Sequence, residues 1–152
     1  MNPAPFRFRL ERVRALRERT EDLAQEAYAA SLTHRMRGEA MLRAAGERVE
    51  AARTATRTLG SQPATSDDLL AAHAYLQRTE MARRAAALDL GRRDADLGAR
   101  RAALAAAARE RKVLDRLRDR RHAAHRAEAL RLEGVALDDM TAARHRPEGS
   151  AR

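Results

Sequence analysis

Leucine recurs at every seventh position through much of the second half of the chain. Leu69, Leu76, Leu90, Leu97 and Leu104 fall on one row, with Arg83 and Arg111 completing it. A companion row three residues behind reads Ala72, Thr79, Ala86, Arg93, Arg100, Ala107 and Leu114. This heptad spacing predicts a long helix with a narrow apolar seam. The first half carries a looser pattern in steps of mostly three and four. It runs Phe6, Leu10, Val13, Leu16, Thr20, Leu23, Ala27, Ala30, His34, and then Met41, Ala45, Val49 and Ala52.

Punctuation between these rows sets the elements. Pro3 and Pro5 keep the first residues extended. The stretch LGSQPATSDDLL, residues 59–70, joins Gly60, Ser61 and Pro63 to a helix start, with Thr65 or Ser66 as N-cap. Asp67 and Asp68 follow in the first turn, where carboxylates favour the helix dipole. Pro147 and Gly149 mark a tail. The expected layout is a single domain with helix one at about 7–58, a turn at 59–66, helix two at about 66–143 and a disordered tail at 144–152. A short turn between long helices makes them antiparallel neighbours, so the fold class is all-α, a coiled-coil hairpin. The C-terminal helix is the longer, at about 115 Å against about 78 Å. It is expected to outrun its partner near residue 118, leaving about 25 residues overhanging. This overhang carries Leu130, Leu132, Val135, Leu137 and Met140 with nothing in the chain to bury them.

Composition sharpens that picture. Aromatics make up 3% of the 152 residues and charged residues 35%. The apolar share is mostly Ala, which buries little, so the seam is expected to be thin and the molecule elongated. Gly38, Gly46, Gly91 and Gly98 soften it. An Arg at a seam position lays its stem along the groove and keeps its head in water. The chain has no Cys, which excludes disulfides and thiolate metal sites. The longest apolar run, AALAAAA at 102–108, is far short of the roughly 20 residues a membrane span needs. The opening MNPAPFRFRLER has no signal-peptide core. A cytoplasmic protein is expected.

Candidate chemistry is sparse. There is no Gly-rich phosphate loop, no HExxH and no Ser/His/Asp arrangement. His122 and His125 lie one turn apart, but among Arg116, Arg118, Arg120 and Arg121, whose charge repels a cation. A metal set also needs more than two ligands. Asp138 and Asp139 read as polar residues near a helix end. The formal net charge is +9, and Lys112 is the single lysine. The basic run RERKVLDRLRDRRHAAHR, residues 109–126, admits three readings. It is a phosphate-neutralising nucleic-acid surface, a solvated face with local ion pairs, or a docking surface for an acidic protein. Asp115 and Asp119 interrupt it and no aromatics interleave, which weighs against nucleic acid. Tyr75, the one aromatic of helix two, is a candidate interface anchor.

The opening FRFRLERVRALRERTED, residues 6–22, resembles the start of FliJ proteins, the stalk subunit of the flagellar type III export apparatus. The segment ERKVLDRLRDRR at 110–121, the LDDM at 137–140 and the RP that follows resemble the family's C-terminal half. Length and layout agree across the chain. The resemblance implies an antiparallel coiled coil similar to the central stalk of rotary ATPases. Its partners would be the hexameric export ATPase, the export gate membrane protein and export chaperones, at the inner membrane. It implies no catalysis, no cofactor and no nucleic acid. Carried over residue by residue, it places Phe6, Phe8, Leu10, Val13, Arg111, Lys112, Leu114, Leu117 and Arg121 near the ATPase. It places Tyr75, Thr79, Ala82 and Ala86 at the gate. The equivalent stalk of an injectisome is the near alternative. An Arg-rich helical nucleic-acid binder is the alternative from another class.

Overall fold

The structure, a computed structural model, describes residues 5–144. Two helices account for nearly all of them: α1, Glu11–Gly60, and α2, Ser66–Arg144. They pack against each other as a hairpin, and the described residues contain no strand. The tail expected at 144–152, and Pro3, lie outside the described residues except for Arg144, the last residue of α2.

The turn is held by local hydrogen bonds. Thr65 is the N-cap of α2: its hydroxyl accepts from the Asp68 amide at 3.2 Å, and its own amide donates to the Asp68 carboxylate at 3.1 Å. This reciprocal box satisfies amides that have no partner inside the helix. The Thr65 hydroxyl also donates to the Asp68 carboxylate at 2.6 Å, and this bond first, the one from the Thr65 amide second, holds the Asp68 carboxyl below its ordinary value. At the other side of the turn, the Ser61 amide and hydroxyl both donate to the Thr58 carbonyl.

Contacts divide the chain into two compact units. One, the terminal unit, is Met1–Arg19 with Ala108–Arg152; the other, the turn unit, is Thr20–Ala107. In the turn unit, α2 buries or half-buries Leu69, Ala72, Leu76, Thr79, Ala86, Leu90, Arg93, Leu97, Leu104 and Ala107. That is the expected row, with Arg83 and Arg100 left exposed. On α1 the covered positions are Glu21, Ala24, Tyr28, Ser31, Arg35, Gly38, Leu42, Ala45, Val49, Ala52, Thr56 and Leu59, with Ala27, Glu39, Ala44 and Gly46 half-buried beside them. Val49 is fully buried.

The α1 seam therefore agrees with the expected one from Ala45 onward and departs from it before. The pattern based on large apolar residues requires two successive steps of four, Met41 to Ala45 to Val49. The folded helix keeps three and four alternating without a break, which moves the earlier half of the seam one residue on. Leu23 is consequently 66% exposed, and the seam is lined instead by Glu21, Ala24, Tyr28 and Ser31. Polar contacts across the helices compensate. The Ser31 hydroxyl donates to Asp96 at 2.7 Å, Arg35 donates to Asp94 at 2.6 Å, and Arg53 reaches Glu80 at 3.0 Å.

In the terminal unit, helix one starts at Glu11 rather than near residue 7; Pro5 to Phe8 lie before it, outside any regular element. The Phe8 carbonyl accepts the Glu11 amide at 3.1 Å and closes the first turn. A non-helical segment can advance up to about 3.3 Å per residue against 1.5 Å in a helix. Phe6 reaches His122 and His125 of α2, and Pro5 and Phe6 share a groove with Ala129 and Leu130. The uncovered stretch of α2 accordingly begins near Leu130, not near residue 118. Beyond it, Leu132, Val135, Leu137 and Met140 are exposed, as the pattern predicts.

Two outcomes test this seam. Val49→Ala should lower the unfolding free energy by about 2 kcal/mol. Leu23→Ala, a larger truncation on the outer face, should change it by no more than about 0.5 kcal/mol. Urea denaturation of both variants reads the difference. The second outcome is a pH dependence. The Ser31 hydroxyl, foremost, and the charge of Arg100 hold the Asp96 carboxyl below its ordinary value. A depressed carboxyl contributes stability above the unfolded value of about 3.9, which is lost as pH falls through the folded value. Asp96→Asn should therefore melt below the parent at pH 7, and the gap should close as the pH is taken below about 4. Thermal melts from pH 7 to 2 measure it.

Candidate partner-binding surfaces

The net charge is not spread evenly. Residues 20–107 hold 13 Arg against 12 Asp and Glu, a net +1, whereas the remaining residues hold 18 Lys and Arg against 10 Asp and Glu, a net +8. Within the terminal unit, the acids of α2 nearest α1 are already engaged. Asp115 takes Arg111 at 2.6 Å and Arg14 at 3.6 Å, and Glu110 takes Arg17 at 2.7 Å. The hydrogen bond to Glu11, then the charges of Glu11, Glu18 and Asp115, raise the Arg14 guanidinium above its ordinary value.

Among the cations left uncompensated is a stripe on the outer face of α2. Lys112, Arg116 and Arg120 stand at successive steps of four, all exposed, and form no ion pair among the described residues. Like charges at this spacing oppose the helix by roughly 0.2–0.5 kcal/mol per pair. Such a row is favourable only against negative charge from elsewhere.

The nine positions expected to face an ATPase divide by exposure. Phe8 is buried, and Phe6, Leu10, Leu114 and Leu117 are half-buried in the unit's own packing. Arg111 is half-buried on Asp115. Val13 at 42% exposure, Lys112 and Arg121 point outward. Val13 does not continue a seam from Phe6 and Leu10, as the spacing predicts; Arg14 takes that place. Phe8 staples the helix start, with the Arg121 guanidinium 6.0 Å from its ring centre. Phe6 packs edge-on to His122 at 5.0 Å and tilted to His125 at 5.6 Å. That role for the two histidines escaped the sequence reading, although their spacing of three residues already put both on one helical face opposite an aromatic. Among the described residues no cluster of three or more metal-ligating side chains exists.

The four gate positions also divide. Thr79 is buried in the seam and donates to the Leu76 carbonyl at 2.8 Å. Ala82 and Ala86 line a shallow groove with Met41, Ala44, Ala45 and Arg48. Tyr75 is exposed, with the Arg78 guanidinium 6.0 Å from its ring. Met41 and Met81 are exposed large apolar neighbours of this region that the sequence reading did not select.

The family model described as flagellar FliJ protein matches residues 6–150. The chain belongs to the FliJ family. It is therefore a flagellar export-related protein, of a family that serves the export apparatus without being an enzyme. No curated protein and no solved structure matches this chain. Among the described residues no helix is long and apolar enough to cross a membrane. The match to the FliJ model includes both the Phe6–Phe8 segment and the Lys112–Arg116–Arg120 stripe.

The aromatic staple has a direct test. Phe8→Ala should speed amide hydrogen exchange of Leu10 to Arg14 by about tenfold or more, because local opening then loses its main burial. Exchange at Ala45 to Thr56 should not change. Mass-spectrometric exchange on the intact chain resolves the two segments.

Proposed function

We propose that this chain is an export stalk that binds the hexameric flagellar export ATPase through its terminal unit and the export gate through its turn unit. On this reading it couples ATP hydrolysis to delivery of flagellar subunits, handles export chaperones, and works in the cytoplasm at the inner membrane. The observation that carries the ATPase half is the Lys112–Arg116–Arg120 stripe, followed about 18 Å further along the same helix by an exposed apolar stretch, Leu132 to Met140. Unpaired cations select an acidic surface and suppress wrong partners. Exposed leucines further along the helix supply burial once that surface is reached. Family membership supports the export setting.

The gate half rests on Tyr75 and on the groove lined by Ala82, Ala86 and Met41. Small side chains let another backbone approach closely, and an exposed Tyr provides a rigid anchor at low entropic cost.

The experiment is titration of the chain into its cognate export ATPase, reading ring assembly and ATP turnover. Arg116→Glu with Arg120→Glu should weaken the half-saturation of stimulation by about tenfold or more, since each reversal replaces attraction by repulsion. Arg57→Glu with Arg78→Glu, in the turn unit, should leave it near the parent value. Equal losses from both pairs would overturn the assignment of the terminal unit, and no stimulation at saturating parent protein would overturn the stalk reading itself. A nucleic-acid binder would instead show affinity for DNA falling by about 10³–10⁵ between 50 and 200 mM salt.

A further inference from the structure

Within the turn unit, α2 contains two consecutive heptads of nearly the same sequence. Residues 89–95 read DLGRRDA and residues 96–102 read DLGARRA, identical at five of seven positions. The first of them forms a latch on α1. Arg93 is half-buried and donates through Nη1 to the His34 carbonyl at 2.9 Å while its Nε bonds Asp89 at 2.7 Å. Its stem lies across Gly38, where a Cβ would stand 2.8 Å from Arg93 Cδ. The second heptad repeats the same internal pair, Arg100 Nε on Asp96 at 3.2 Å, one heptad along and without a glycine of α1 beneath it.

Sliding α2 by seven residues along α1, about 10.5 Å, would bring Arg100 onto Gly38 and the His34 carbonyl. Leu97 would take the place of Leu90, and Leu104 that of Leu97. The latch, its intrahelical carboxylate and two seam leucines are thus all encoded twice. Three contacts of the turn unit are not. Arg35 now meets Asp94 at 2.6 Å, and after the slide would meet Arg101. Ser31 now donates to Asp96 at 2.7 Å, and would face Ala103. Arg53 now meets Glu80 at 3.0 Å, and would face Ala87. Asp94, Asp96 and Glu80 thus touch α1 only in the observed register.

We propose that the hairpin has a second seam register one heptad away, and that Asp94, Asp96 and Glu80, through Arg35, Ser31 and Arg53, hold the turn unit in the observed one. The latch fixes register modulo seven; these carboxylates choose between the two solutions. The slid register also puts Arg83 at the site of Leu76, Arg93 at that of Ala86 and Arg111 at that of Leu104, and it parts Arg14 from Asp115 and Arg17 from Glu110, which adds to the preference for the first. This is a conformational device internal to the hairpin, and it holds whatever partner the chain binds.

The test uses the full chain, which has no native Cys. Cys pairs are placed at 53 and 80, whose side chains now meet, and at 53 and 87, which would meet after the slide; Cys at 53 removes the Arg53–Glu80 contact from both, which leaves the choice within the turn unit to Asp94 and Asp96. Crosslinking with a short bismaleimide reads the register in each. In the parent, 53–80 should dominate. Asp94→Arg with Arg101→Asp should transfer crosslinking to 53–87. Persistence of 53–80 in that variant, at parental helicity by circular dichroism, would overturn the proposal. Should the double variant lose helicity, Asp94→Ala decides: 53–87 should rise above the parental background, and an unchanged ratio would overturn the proposal. Asp89→Ala, which touches the duplicated latch and not the selecting pair, should leave 53–80 dominant; a shift there equal to that of Asp94→Ala would also overturn it.

Discussion

A seam whose buried positions are mostly small side chains governs this molecule. Large side chains in a helical hairpin do two things at once: they bury area, and their interdigitation fixes which residue faces which. In the turn unit only Val49 is both large and fully buried, with Ala45 and Ala52 on either side of it. Burial of that kind holds two helices close without saying where along their length they stop. The alignment is therefore delegated to polar contacts, Ser31 with Asp96, Arg35 with Asp94 and Arg53 with Glu80. None of these is worth much as an exposed ion pair. Their value lies in discrimination, because a slide that breaks them sets Arg against Arg. Gly38 belongs to the same arrangement. It is where an arginine stem crosses the partner helix, and the crossing needs the missing Cβ.

Much of this was legible in the residues. The hairpin followed from two long unbroken stretches and one capped turn, and the α2 seam from a leucine at every seventh place. The α1 seam was harder for a definite reason. Apolar spacing assigns Val13, Leu16 and Leu23 to it, yet they are 42%, 61% and 66% exposed. A continuous helix cannot honour both that row and the one through Ala45, Val49 and Ala52 without an inserted residue. The later row prevails, and the earlier half of α1 presents Arg14, Arg17 and Glu21 instead. Charged side chains at these places look like solvent face until the acids opposite them, Asp115 and Glu110, are known. Sequence spacing within one helix carries no such information.

The candidate surfaces were legible as segments and not as residues. The opening FRFRLERV and the run ERKVLDRLRDRR mark the terminal unit, and both prove to belong to one packed region. Which of their side chains face outward depends on whether Phe6 and Phe8 lie in a helix or before it. Pro5 does not decide it, since a proline restricts the residue before it and not the ones that follow. By contrast, Thr79 sits on the seam row of α2, and so its burial follows from the same heptad that identifies the helix. Its place among gate-facing positions came from a family pattern whose spacing overlaps that seam.

The aromatics and the charge of the terminal unit answer to one another. A net +8 on residues 1–19 and 108–152 repels itself and works against closing α1 on α2 there. Three devices oppose that repulsion. Asp115 and Glu110 spend their charge across the helices on Arg14 and Arg17. Phe8 is buried under the Arg121 guanidinium, so a cation that would otherwise add to the repulsion is drawn onto a ring. Phe6, placed before the helix start, covers His122 and His125 on α2. An alanine seam would not supply enough burial for this, which is a physical reason for both phenylalanines of the chain to stand here. Had the acids been placed to neutralise Lys112, Arg116 and Arg120, less clamping would be needed. The chain instead directs its carboxylates inward and leaves that stripe bare. A surface kept positive at the expense of its own stability is what the proposed docking on an acidic partner requires.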